Sequence, residues 1–324
     1  MRCGREPGGP NVDEKGVCPA ATGETFSGIN KGEKGGRICW LVAGTFCGGV
    51  TQGSFAEKKD SCRECAFYRQ VQAEEAETKL SFDSIDIVAT SHIGLVRIAN
   101  EDRYLIRQLD NGTLLLAVAD GLGGHEAGDY AAEILRGRLA AMPPVPVGRE
   151  QELLARLAVE TDRIILQLAA DKPELEGMGT TLLCVLLRDG TAHWVHVGDS
   201  RFSIVRDRKL LQITRDQNLA RFLVEEGEIT REEVPDHYSR HVLDQALGSA
   251  LEEPETGKVT VQAHDLLLLS TDGLHNQVAE ETIASVLSTE AGLAAKVDLL
   301  VRSALDVGGK DNITIVAVQL RDLH

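Results

Sequence analysis

Four aspartates stand at the ends of apolar runs, and these are the residues of the chain whose placement suits chemistry. The run Leu114 to Ala119 stops at Asp120, and Trp194 to Gly198 stops at Asp199. Leu266 to Leu269 gives way to Ser270-Thr271-Asp272-Gly273, and Asp311-Asn312 opens the run Ile313 to Val318. A carboxylate on the end of a buried strand is held by a rigid element. The glycines behind Asp120 (Gly121, Gly123, Gly124) let backbone carbonyls turn toward a hard cation. Alone, Asp120-Gly121 reads equally well as an ordinary turn. Repetition of the pattern changes that balance. If the fourth strand runs antiparallel to its neighbours, all four carboxylates meet at one sheet edge. Like charges gathered there repel by several kcal/mol unless cations lie between them. Oxygen ligands without a matching His/Cys set point to Mg or Mn rather than Zn.

The motifs around these aspartates follow a fixed order. They are Arg97-Ile-Ala-Asn100-Glu101-Asp102, the Asp120 stretch, Gly179-Thr180-Thr181, Gly198-Asp199-Ser200-Arg201, Ser270-Thr271-Asp272-Gly273-Leu274 and Gly309-Lys310-Asp311-Asn312-Ile313-Thr314. From about Ile85 to Leu320 the chain resembles the metal-dependent Ser/Thr protein phosphatases, the PPM or type 2C family, in bacterial form. Each motif alone is weak; the ordered set is specific. The resemblance implies hydrolysis of phosphoserine or phosphothreonine in proteins by a water activated between two Mn2+ or Mg2+ ions, with no covalent phosphoenzyme. It implies that Asp120 bridges the two metals, that the Gly121 carbonyl binds one, and that Asp272 and Asp311 bind the other. Asp199 resembles the ligand shared with a third, weaker metal. Arg97 corresponds to the phosphate-binding residue. Glu101 and Asp102, with Asn312, stand behind the ligands and orient metal-bound water. The implied partners are phosphorylated proteins, together with a Ser/Thr kinase that shares those substrates. Two departures stand out. Leu122 occupies the place of a histidine proposed as general acid in eukaryotic members, with His125 three residues on, and Asp216-Gln217 stands where the family often has Asp-His. The acid is left unassigned.

These residues need a scaffold. Helices are expected over about Ala127 to Met142 and Arg149 to Ala170, the second with Leu153, Leu154, Leu157, Ile164, Ile165 and Leu168 at helical spacing. Asp189-Gly190 is a hairpin signal between two apolar runs, and Asp207 to Lys209 marks another turn. Leu219 to Glu226, Val278 to Leu287 and Ala291 to Leu305 suit helices, and Ile313 to Leu320 a closing strand. The polar stretch from Ile229 to Asp244, with His237, Arg240 and His241, reads as a solvated flap rather than a ligand pair. The class expected is α+β. The resemblance makes it a four-layer α-β-β-α sandwich of two mainly antiparallel sheets flanked by helices. A dinucleotide fingerprint at Gly121 to Glu126 fails, because Glu126 stands where glycine is needed.

Residues 1–72 differ from the rest. They hold six of the seven cysteines (Cys3, Cys18, Cys39, Cys47, Cys62 and Cys65) and much glycine, so this segment needs a staple. Disulfides, Zn2+ or an iron–sulfur cluster on thiolates such as Cys18, Cys39, Cys47, Cys62 and Cys65 all remain open. The segment resembles a bacterial cysteine-rich module, the two-CW domain, through Cys3-Gly-Arg-Glu, Val17-Cys18-Pro-Ala, Cys39-Trp40 and Cys62-Arg-Glu-Cys65, which implies a sensor or docking unit. Residues 73–84 read as a polar linker or short solvated helix and 85–322 as the phosphatase domain. A net charge of −16 without a basic patch argues against nucleic acid as a partner. The run Ile38 to Phe46 is too short to span a bilayer, so neither a membrane nor an export signal is expected and a cytoplasmic location is the default. Two other function classes stay in view: an inactive phosphatase-like regulatory module, and a redox or metal sensor acting through the cysteines.

Overall fold

The computed structural model describes residues 17–18, 46–47, 50–51, 77–82, 84–109, 112–123, 127–230, 232–234, 237–251 and 253–321. The chain divides into two compact units, Met1–Ala76 and Glu77–His324. In the first, β1 (Phe46–Cys47) and β2 (Val50–Thr51) pair antiparallel and Cys18 is buried. Cys3, Cys39, Cys62 and Cys65 lie outside the described residues, as does most of the segment 1–72 on which the cysteine-rich module is expected.

The second unit runs β3 (Glu77–Phe82), β4 (Ile85–His92), β5 (Arg103–Gln108), β6 (Leu114–Ala119), β7 (Gly121–Leu122), α1 (Ala127–Ala140) and α2 (Glu150–Asp171). It continues with β8 (Gly179–Thr180), β9 (Leu182–Arg188), β10 (Thr191–Val197), β11 (Arg201–Arg206), β12 (Lys209–Gln212) and α3 (Leu219–Glu225). It closes with β13 (Glu255–Thr260), β14 (Leu266–Ser270), α4 (Asp272–His275), α5 (Glu280–Leu287), α6 (Leu293–Asp306) and β15 (Ile313–Leu320). One sheet has the order β13-β10-β9-β6-β5 and the other β12-β11-β14-β15-β4-β3; every pairing is antiparallel.

Alternation along the strands shows how the layers stack. On β6, Leu114, Leu116 and Val118 face Phe202, Leu267, Leu269 and Val316 of the other sheet. Leu115, Ala117 and Ala119 face Leu135, Leu154 and Ile165 of the helices α1 and α2. On β14, Leu267 and Leu269 join the core between the sheets, while Leu266 and Leu268 pack on Ile283, Leu300 and Ala304 of α5 and α6. Three apolar layers therefore separate helices, sheet, sheet and helices, as expected of a four-layer sandwich. Each fully buried Leu or Ile contributes about 2 kcal/mol of transfer free energy. Because both faces of β6, β9 and β14 are covered, they read as unbroken apolar runs.

The linker expected at 73–84 is corrected. Glu77–Phe82 is an edge strand paired along β4 from Glu77↔Thr90 to Phe82↔Ile85, so the second unit starts before Ile85. Its polar look follows from its place: an edge strand carries charges such as Glu77 and Lys79 on the solvent side. The hairpin at Asp189-Gly190 is present, both residues having positive φ, as a tight two-residue turn requires. No helix among the described residues is long and apolar enough to cross a membrane.

Candidate active site

Strand direction gathers the four aspartates. β6 and β10 both run antiparallel to β9, so Asp120 and Asp199, which follow them, leave the sheet at one edge. β14 runs antiparallel to β15, so Asp272 after the first and Asp311 before the second also share an edge. The two edges meet. Asp102 joins them from the start of β5, 2% exposed, its Oδ2 accepting from Thr271 Oγ1 at 2.8 Å.

The charges press on one another. Burial raises the Asp120 carboxyl well above the usual carboxylate range, and Asp102, Asp272, Asp199 and Asp311 add repulsion. Asp199 is raised likewise by burial and by Asp272. Asp272 is pushed up to about 6 by burial and Asp311, and Asp102 to about 7 by burial, then by Asp272 and Asp311.

Each aspartate is set by named neighbours. The Asp120 backbone is held from the end of β8 and the residue that joins it to β9: its N–H donates to Thr181 Oγ1 at 2.9 Å, and its carbonyl accepts from Thr181 N–H at 2.8 Å and Thr180 Oγ1 at 3.0 Å. Asn276, one turn along α4, donates from Nδ2 to Asp272 Oδ2 at 2.8 Å. Glycine at 273 is required, since a Cβ there would stand 1.9 Å from the Asn312 carbonyl oxygen. Asp311 accepts from Arg97 Nη2 at 2.7 Å, which raises the Arg97 pKa. Asn312 then fastens the loop that carries Arg97. Its Nδ2 donates to the carbonyls of Ile93 (2.9 Å) and Ala99 (3.0 Å), and its Oδ1 accepts from the N–H of buried Glu101 at 2.8 Å. Gly121 is buried and opens β7, which pairs with β8.

The donor set suits hard divalent cations. Asp102 Oδ1 and Asp272 Oδ1 are buried without a hydrogen-bond partner among the described residues, acceptors that a divalent cation with its bound water would satisfy. Among the described residues no three His, Cys, Asp or Glu side chains close on a single point as a complete cage. A small hard ion that keeps most of its water needs only one or two carboxylates from the protein, so paired aspartates suffice.

Comparison with known proteins agrees with this geometry. The protein phosphatase 2C profile matches residues 90–308. The chain belongs to the protein phosphatase 2C family. The serine/threonine protein phosphatase PstP of Mycobacterium tuberculosis is 38% identical over 237 residues, 72% of this chain and 45% of that protein. The chain thus spans about half the length of that relative. Protein phosphatase PhpP of Streptococcus pneumoniae is 32% identical over 244 residues, 74% of this chain and 98% of that one. A solved structure of the catalytic domain of PstP in complex with two manganese ions superposes with a TM-score of 0.66 at 35% identity, covering 74% of this chain and 99% of that one.

Within this phosphatase 2C domain several residues make contacts that their sequence motifs do not disclose. Gln217 exchanges two hydrogen bonds with Gly198, Gly198 N–H to Oε1 and Gln217 N–H to the carbonyl, both 2.8 Å, and so fixes the turn before Asp199. Arg201 grips Asp216 through Nε (2.9 Å) and Nη2 (2.7 Å) and reaches Glu280 through Nη1 (3.0 Å). Burial works against the Asp216 charge, but the Arg201 pair wins and holds its carboxyl below the usual range. His275 on α4 is kept neutral, pushed down to about 3 by burial and the Arg201 charge. None of these has a local signal, because each acts across a turn or between sheets. In the flap, His237 Nδ1 faces Ser239 Oγ at 2.6 Å and His241 Nε2 accepts from Arg240 Nε at 3.1 Å, so the two histidines are engaged separately. His125 lies outside the described residues.

Proposed function

We propose that the chain is a protein-serine/threonine phosphatase that hydrolyses phosphoserine and phosphothreonine on proteins phosphorylated by a Ser/Thr kinase. The observation that carries this is the cluster of mutually repelling buried and half-buried aspartates with Arg97 hydrogen-bonded at its rim. Asp120, with the Gly121 carbonyl, Asp272 and Asp311 would hold two Mn2+ or Mg2+ ions, and Asp199 would share a third. Bound there, such ions supply Lewis-acid charge and lower the pKa of water for in-line attack on phosphorus. Arg97 offers a planar fork suited to two phosphate oxygens and offsets their charge. Thr180 and Thr181 fix the backbone of Asp120, and Asn276 fixes one oxygen of Asp272, so the ligands are set before substrate arrives. Asp102, Glu101 and Asn312 stand behind them: Asp102 aims an unpartnered oxygen inward, and Asn312 holds the Arg97 loop. Residues 1–72 form the sensor or docking unit, with Cys18, Cys39, Cys47, Cys62 and Cys65 as thiolates for Zn2+ or an iron–sulfur cluster.

The test is hydrolysis of p-nitrophenyl phosphate and of a phosphothreonine peptide with and without Mn2+. Turnover should need the metal, stop on chelation, and fall at least about a hundredfold in Asp272→Asn. Metal uptake without turnover in the unaltered chain would instead favour an inactive regulatory module.

A further inference from the structure

The loop that carries Arg97 has an unusual surface. Leu95, Val96 and Ile98 are 66%, 64% and 77% exposed, and Ile93 at the loop's start is exposed as well. Val307, in the turn that ends at Gly309, is 56% exposed. A single exposed leucine needs no explanation, but three or more exposed aliphatic residues on one short loop mark a surface that meets something.

This cluster is not loose. Gly94 has φ +82° and packs so closely that a Cβ would lie 2.3 Å from the Asp311 carbonyl oxygen. Leu95 N–H donates to the Gly309 carbonyl at 2.7 Å, and Asn312 ties down both Ile93 and Ala99. The backbone that carries the aliphatic side chains is therefore held in place before anything binds, which limits the ordering penalty of association. Arg97 sits among them, between Val96 and Ile98, with its guanidinium on Asp311. A phosphate held by Arg97 brings the rest of the partner's chain to the surface of this loop, where Val96 and Ile98 adjoin Arg97 in the sequence and are exposed. In an extended segment the neighbours of the phosphoresidue stand only about 3.4 Å per residue along the strand.

We propose that this loop is a specificity rim, and that the substrates are phosphoproteins whose phosphoserine or phosphothreonine has a branched aliphatic residue beside it. The inference rests on the phosphatase reading above and adds the class of sequence that it selects.

The test uses full-length protein and matched phosphothreonine peptides with valine or serine on both sides of the phosphoresidue. Values of kcat/KM are taken beside p-nitrophenyl phosphate, which has no flanking residues. The same peptides carrying a non-hydrolysable phosphonate give dissociation constants by fluorescence anisotropy. The unaltered chain should favour the valine peptides by roughly tenfold in both measurements, the range open to aliphatic contacts in a pocket. In the double variant Val96→Ser, Ile98→Ser that ratio should collapse toward one, while Ile98→Val should keep it. Equal use of both peptides by the unaltered chain overturns the proposal, as does a preference that survives in the double variant. A dimer that disperses in the double variant would assign the surface to a second copy and also overturn it. If p-nitrophenyl phosphate itself is not turned over, the phosphatase reading fails and takes this inference with it; turnover without peptide preference removes the inference alone.

Discussion

An aspartate in water is ionised at any pH above about 4. Here burial and crowding raise Asp102, Asp120, Asp199 and Asp272 above that value, so the folded protein binds protons more tightly than the unfolded chain. Such groups stabilise the fold fully below the unfolded pKa, and their contribution is lost as pH climbs through the folded values, about 6 for Asp272 and about 7 for Asp102. His275 works in the opposite sense, because it is buried neutral and its gain is complete once unfolded histidine deprotonates near pH 6.5. The interval above pH 6.5 therefore isolates the aspartates. In chelator, the melting temperature should fall between pH 6.5 and pH 8, and saturating Mn2+ should remove that fall. Asp272→Asn should raise the chelated melting temperature at pH 8, by about 2–4 °C for each kcal/mol of repulsion relieved. A flat profile in chelator, or a variant less stable than the parent at pH 8, would mean the carboxylates do not strain one another.

Between elements, the closest approach at the site is α4 against the start of β15. Gly273 and the Asn312 carbonyl leave no room for a methyl group. Gly273→Ala must push α4 away, at about 1–3 kcal/mol for overpacking, and move Asp272 relative to Asp311. A misplacement of about 1 Å is enough for a hundredfold loss, so kcat on p-nitrophenyl phosphate should drop tenfold or more while the secondary structure by circular dichroism persists. A variant with unchanged kcat and melting temperature would show that this contact is slack. The same scale shows what the sequence can reveal. Strands covered on both faces, such as Leu266–Ser270, announce themselves as apolar runs, and an aspartate at their end is a local signal. The edge strands Glu77–Phe82 and Glu255–Thr260 do not, since polar residues alternate with few apolar ones and only the partner strand makes them strands. Thr181 on Asp120, 61 residues away, and Gln217 on Gly198 are likewise invisible, because their roles exist only once register brings them together.

For the whole molecule, the edge strand β3 decides where the second unit begins. Leu80 packs against the core between the sheets, Thr78 Oγ1 meets the Tyr104 hydroxyl at 2.9 Å, and the Asp86 carboxylate binds both Ser81 Oγ (2.6 Å) and Arg321 Nε (2.9 Å). The unit that starts at Glu77 has all three apolar layers within itself. A chain of residues 77–324 should therefore fold alone and hydrolyse p-nitrophenyl phosphate with Mn2+ at the rate of the reduced full-length protein, within about twofold. A chain that starts at Ile85, where the polar stretch ends on sequence alone, strips β4 of its β3 partner. That bares a row of unpaired backbone groups and the Leu80 side of the core, an invitation to edge-to-edge association. Its melting temperature should fall by several degrees relative to 77–324, and it should aggregate as concentration rises, read by light scattering. If the chain from Ile85 is as stable and as monodisperse as the longer one, Glu77–Phe82 is dispensable and belongs with the preceding segment. If instead 77–324 folds but turns over far more slowly than the full chain, the cysteine-rich segment acts on catalysis directly.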